Sequence, residues 1–98
     1  MPTITSDSVV VRSSEPVFRE IDDEIVMMSV ETGKYYGLDP IGGRIWALIE
    51  RPVAVTALCA QLLEEFEVGR EECERDLLSF LNRMAGEGIV ATVGQETE

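Results

Sequence analysis

The sequence has no histidine, only two cysteines and only six aromatic residues among its 98 positions. Without histidine, the commonest metal ligand and the commonest general base are missing, which argues against a zinc hydrolase or a Ser-His-Asp enzyme. Positive charge is also scarce: 8 Lys and Arg face 19 Asp and Glu, for a net charge of −11. Such a field repels phosphate backbones and anionic lipid and favours basic peptides or basic protein faces. No apolar run approaches the ~18 residues of a membrane span, and Met1–Asp7 is short and polar, unlike a secretory leader. The expectation is a soluble, cytoplasmic chain with no nucleic-acid and no membrane partner. Cys59 and Cys73 lack C-x-x-C spacing and companion ligands, and read as buried free thiols in a reducing compartment. No P-loop, G-x-G-x-x-G or nucleophile elbow occurs, so no catalytic residue, metal or cofactor is expected.

What is present is enough apolar material for one small core, with 45% hydrophobic residues. A chain of this size buries roughly 65% of its unfolded surface, which supports a single domain over 1–98. Its ordered part is expected at about Val9–Val93, with loose ends at Met1–Asp7 and Gly94–Glu98. The periodicity changes near Asp39. Before it come short β-type runs at Val9–Val11, Val17–Ile21, Glu24–Val30 and Lys34–Leu38, separated by Asp22-Asp23 and Glu31-Thr32-Gly33. The last three runs read as a meander. Glu24–Val30 is apolar on both faces and so central, which leaves Lys34–Leu38 as an edge.

Asp39-Pro40 is a helix start, with Asp as the cap and Pro in the first helical position. Helices are expected over Pro40–Glu50, Val55–Phe66 and Arg70–Ala85, followed by a short β segment at Ile89–Val93. Their apolar stripes are Ile41, Ile45, Leu48 and Ile49; Leu58, Cys59, Leu62, Leu63 and Phe66; and Cys73, Leu77, Phe80, Leu81 and Met84. Trp46 reads as core, and Gly42-Gly43 suggests a close backbone approach to the sheet. The fold class is α+β, winged helix-turn-helix-like, with a three-stranded antiparallel sheet followed by three helices.

A winged helix raises the question of DNA, and the third helix answers it. Glu64 through Asp76 carries seven acids against Arg70 and Arg75, where a DNA-binding relative would meet phosphates. The remaining candidate is the edge strand. With Tyr35, Tyr36 and Gly37 on it, Lys34–Leu38 invites the addition of a peptide as a further strand.

The run Gly33-Lys34-Tyr35-Tyr36-Gly37-Leu38-Asp39-Pro40-Ile41-Gly42-Gly43-Arg44-Ile45-Trp46 resembles the strand-to-helix junction of the PqqD-like family. Phe66-Glu67-Val68, Arg75–Leu81 and Gly88-Ile89-Val90 look like the same family's second-helix end, third helix and closing segment. The resemblance implies a non-catalytic recognition element for ribosomally made, post-translationally modified peptides. It implies a precursor leader peptide bound as an extra strand on the third strand of the meander, beneath the third helix. The partner would be a modifying enzyme, either a leader peptidase with a cyclase, as in lasso-peptide systems, or a radical-SAM protein, as in the coenzyme PQQ pathway. The Gly-Lys-Tyr-Tyr-x-Leu-Asp-Pro form looks closer to the lasso type.

Carried onto this chain, the resemblance places strand addition on Lys34, Tyr35, Tyr36, Gly37 and Leu38. It places Asp76, Phe80 and Arg83 on the facing helix, with Cys73, Leu77 and Ser79 near the groove floor. Val53-Ala54 departs from the family's Thr or Ser at the second-helix start, so that helix lacks a side-chain cap and is open to beginning at Thr56. Two alternatives stay open: a degenerate winged-helix regulator, and a homodimer formed through the same edge.

Overall fold

Asp22, at φ 52°, and Gly33, at φ 76°, are left-handed residues at the two reversals that fold three strands back on one another. The computed structural model describes residues 3–14, 16–22 and 24–93. The meander is β2 (Pro16–Ile21), β3 (Glu24–Ser29) and β4 (Tyr35–Leu38), antiparallel in the order β2-β3-β4. β3 is central, as its two apolar faces require. Met27 and Ser29 are buried beneath the sheet, while Val26 and Met28 are half-covered on its outer side.

Three helices follow: α1 (Pro40–Leu48), α2 (Val55–Glu65) and α3 (Arg70–Gly86). Asp39 caps α1 by accepting from the Gly42 N–H at 2.7 Å, and Pro40 occupies the first turn. The glycine pair sits close to the sheet as expected. A Cβ on Gly42 would lie 3.2 Å from Asp39 Oδ1, and one on Gly43 would touch Ile25 of β3. α2 has no side-chain cap, and it begins at Val55 rather than Thr56. The Val55 N–H instead donates to the Ser8 carbonyl at 2.9 Å, which supplies the missing partner from the N-terminal segment.

A second sheet lies outside the expected three-stranded one. β1 (Val9–Arg12) pairs with β5 (Val53–Ala54) on one side and β6 (Val90–Thr92) on the other. A two-residue strand has no periodicity to read, so β5 is visible only through its partner. The segment Thr3–Asp7, expected to be loose, is pinned. Ile4 is buried, its N–H donates to Asn82 Oδ1 at 2.8 Å, and Asn82 Nδ2 donates back to the Ile4 carbonyl at 3.1 Å. Gly94–Glu98, Met1 and Pro2 lie outside the described residues.

The two sheets are joined through Arg12. Its guanidinium sits 5.0 Å from the Phe18 ring centroid and 4.9 Å from that of Trp46, while its Nη1 donates to the Trp46 carbonyl. Trp46 and Phe18 are themselves edge to face, with centroids 5.6 Å apart. The core runs from Ile4 and Val10 through Met27, Ile45, Trp46, Leu58 and Leu62 to Leu77, Leu81 and Ile89. Ile41 departs from the expected α1 stripe: it is 39% exposed, because it borders an open surface depression rather than the core.

Candidate groove between the β4 edge and α3

β4 has β3 on one side and an open edge on the other. Which of its amides face that edge follows from the register. The Ser29 N–H donates to the Lys34 carbonyl at 2.9 Å, so Ser29 and Lys34 are a hydrogen-bonded pair, and pairs alternate from there. Met27 and Tyr36 are the next hydrogen-bonded pair, while Met28–Tyr35 and Val26–Gly37 are the non-bonded ones. The backbone groups of Tyr35 and Gly37 therefore point away from β3, to the open edge, and those of Tyr36 are committed to Met27.

Side chains alternate the other way. Tyr36 and Leu38 turn beneath the sheet toward the helices, Leu38 buried and Tyr36 half-buried, whereas Tyr35 is 73% exposed on the outer face. α3 closes the groove with a single stripe at positions 73, 76, 77, 80, 83, 84 and 87, the i, i+3, i+4, i+7 pattern of one helix face. Two depressions lie along this stripe. One, of about 230 Å³, is lined by apolar Ile41, Ile45, Leu62, Phe66, Val68, Cys73, Leu77 and Phe80 and rimmed by Asp39, Glu72 and Asp76. The other, of about 350 Å³, is lined by Tyr35, Tyr36, Gly37 and Leu38 of β4 and by Arg83, Met84 and Glu87. Phe80 and Arg83 join the two, with the Arg83 guanidinium 5.9 Å from the Phe80 ring centroid.

The carboxylate of Glu87 holds the far end of the groove together. The Tyr36 hydroxyl donates to its Oε1 at 2.7 Å, and Lys34 Nζ lies 3.6 Å away. The Tyr36 hydrogen bond first, and then the Lys34 charge, hold the Glu87 carboxyl below the ordinary glutamate value. At the other end, Cys59 Sγ and Cys73 Sγ lie 3.7 Å apart as buried free thiols. Burial, and then the neighbouring Cys59, push the Cys73 thiol up to about 11.

Of the residues singled out from sequence, Tyr35, Tyr36, Gly37, Leu38 and Arg83 line the larger depression, and Cys73, Asp76, Leu77 and Phe80 line the smaller. Lys34 reaches the groove through Glu87. Ser79 is exposed and lines neither depression, because it sits off the 76–80–83–87 stripe. Among the described residues no cluster of His, Cys, Asp and Glu could hold a metal ion.

The family model of PqqD, coenzyme PQQ synthesis protein D, matches residues 24–90, well over half of the chain. The chain belongs to the PqqD family. The matched span holds β3 and β4 of the meander, all three helices and every groove residue named above, and begins after β1 and β2. Among solved structures, that of TbiB1 in complex with the TbiA(beta) leader peptide is 34% identical to this chain, with a TM-score of 0.76. It covers 87% of this chain and 99% of that one. No curated protein sequence matches.

Several lining residues of this PqqD-family groove escaped the sequence reading. Glu87 continues the α3 stripe one step past Arg83, but Gly86 and Gly88 mark the helix end and hide it. From the sequence Asp39 reads as the cap of α1, Ile41 as part of its apolar stripe, Gly42 as a close approach to the sheet, and Phe66 as part of the α2 stripe. Only the packing of α1 against α2, and of α2 against α3, turns them toward a shared depression.

Proposed function

We propose that this chain binds the leader segment of a ribosomally synthesised precursor peptide as an additional strand on β4, beneath α3, and presents it to a modifying enzyme. The observation that carries the reading is the open β4 edge, whose Tyr35 and Gly37 backbone groups face a groove closed by α3, with an apolar depression farther along it. Membership of the PqqD family and likeness to a chain solved with a leader peptide support it. In this reading the domain does no chemistry. It supplies backbone pairing for affinity and side-chain pockets for register, and it raises the local concentration of the core peptide at the enzyme. The enzyme is a leader peptidase with its cyclase or a radical-SAM protein, and the domain works in the cytoplasm. No helix among the described residues is long and apolar enough to cross a membrane.

The register specifies the test. Proline at Tyr36 would remove a bond internal to the sheet, whereas proline at Gly37 removes a donor that faces the open edge. A Cβ at Gly37 meets nothing within 4 Å, so the ring has room. The expected result is that Gly37→Pro keeps the fold by circular dichroism and loses leader binding by at least about ten-fold, while Gly37→Ala binds as the parent does. The leader is the segment preceding the core in a short reading frame beside a modifying-enzyme gene. Equal binding by a folded Gly37→Pro chain sinks strand addition on β4.

A further inference from the structure

The groove is not electrically uniform. Its smaller depression is rimmed by Asp39, Glu72 and Asp76, with no cation among its lining residues. Its larger depression contains Arg83 and Glu87. The Glu87 carboxylate is already engaged by the Tyr36 hydroxyl and Lys34, which leaves Arg83 as the uncompensated charge at that end.

Arg83 stands out in a chain with only eight Lys and Arg against 19 acids. Arg12, Lys34, Arg44 and Arg75 each have an ion pair. Among the described residues Arg19, Arg51, Arg70 and Arg83 have none, and of these four only Arg83 lines a depression, with its guanidinium 5.9 Å from the Phe80 ring centroid. A planar, always-charged fork fixed by stacking is suited to a carboxylate.

We propose that the groove reads the order of side chains along its peptide: an apolar residue seated in the smaller depression, followed toward the peptide C-terminus by an acidic residue against Arg83. This rests on the strand-addition reading and adds the chemistry of the peptide to it. Direction comes from β4. Its chain runs past the larger depression and then, through Asp39 and Ile41, into the smaller one. A strand added antiparallel, the commoner pairing, therefore meets the smaller depression first. From Asp76 to Arg83 the helix rises about 10 Å, which an extended peptide spans in roughly two to four residues. The same acid placed beside the apolar anchor would meet Asp39, Glu72 and Asp76, so the rim rejects the wrong order as well as favouring the right one.

The test is selection of random displayed peptides of about twelve residues on the full chain, on Arg83→Gln and on Arg83→Glu, with Gly37→Pro as the control for strand pairing. The expected outcome is enrichment of peptides with Asp or Glu a fixed short distance after a large apolar residue. Arg83→Gln loses that enrichment, and Arg83→Glu replaces the acid with Lys or Arg. Changing the acid of a selected peptide to its amide costs about ten-fold in affinity on the parent chain and little on Arg83→Gln. Enriched peptides that lack a placed acid but fail on Gly37→Pro overturn the charge rule and leave strand addition intact. Enriched peptides that bind Gly37→Pro as well as the parent, or no enrichment at all, overturn both.

Discussion

The Tyr36 hydroxyl donates to Glu87 Oε1 at 2.7 Å, tying the middle of the β4 edge strand to the C-terminal end of α3. The two residues are 51 positions apart, and the contact sets the spacing between the walls of the groove. Glu87→Gln keeps an oxygen acceptor for Tyr36 but gives up the charge attraction to Lys34, whereas Glu87→Ala loses both. Leader affinity is expected to fall several-fold in Glu87→Ala and less in Glu87→Gln, measured by isothermal titration on chains shown to be folded.

The same tie has a pH dependence of known sign. A carboxyl whose folded pKa is depressed adds stability above its unfolded pKa and loses it as pH falls through the folded value. Glu87 is such a group, so the tie is complete at neutral pH and is lost only on the acid side, below the ordinary glutamate range. An NMR titration should place the Glu87 midpoint below that of a free glutamate, and Tyr36→Phe should move it upward. A midpoint unchanged by Tyr36→Phe would show that the hydroxyl is not the main cause.

Cys73 behaves oppositely. Its thiol is pushed up from the ordinary 9.0 to about 11, chiefly by burial. The unfolded chain therefore ionises first, and the associated stability, complete below about pH 9, is lost as pH rises toward 11. At pH 8 the folded protein should react with iodoacetamide far more slowly than the denatured protein, since the thiolate is the nucleophile. Mass spectrometry of timed samples reads this directly, and equal rates would contradict it.

Arg12 stacks on Phe18 and Trp46, and its side chain is only 18% exposed. Arg12→Ala should destabilise the chain by about 1–3 kcal/mol through lost stacking and packing. Arg12→Lys should recover only part, because an ammonium lacks the planar face. The measurement is the urea midpoint at constant m-value. Neither substitution touches the groove, so leader affinity of the folded fraction should stay unchanged.

Asn82 exchanges two hydrogen bonds with the Ile4 backbone. Asn82→Ala should release the N-terminal segment at a cost of about 1–2 kcal/mol. Amide exchange at Ile4 should then accelerate well beyond that of the core. Unchanged protection at Ile4 would mean that burial of its side chain alone holds the segment.

The local elements were written in the chain. Asp39-Pro40 specifies a helix start through an acceptor and a missing donor, Gly33 supplies the positive φ of a reversal, and the stripe of Cys73, Leu77, Leu81 and Met84 specifies the buried side of α3. Each depends on residues a few positions apart, which is why periodicity and capping reveal them. The resemblance at Gly33–Trp46 extended that reading to the family and to the edge strand.

Other features depend on distant partners and required the tertiary structure. β5 exists only because Val53 and Ala54 lie beside Val10 and Val9, and Thr3–Asp7 is held only because Asn82 reaches Ile4. The parity that turns the Tyr35 and Gly37 amides outward, and those of Tyr36 inward, is a property of pairing with β3 that β4 alone does not contain. The groove itself forms where β4, α1, α2 and α3 meet. Sequence determined which side chains were available to it; the packing of those four elements decided that Glu87 closes one end, tied to Tyr36 and Lys34, and that Arg83 lines the same end with no ion pair among the described residues.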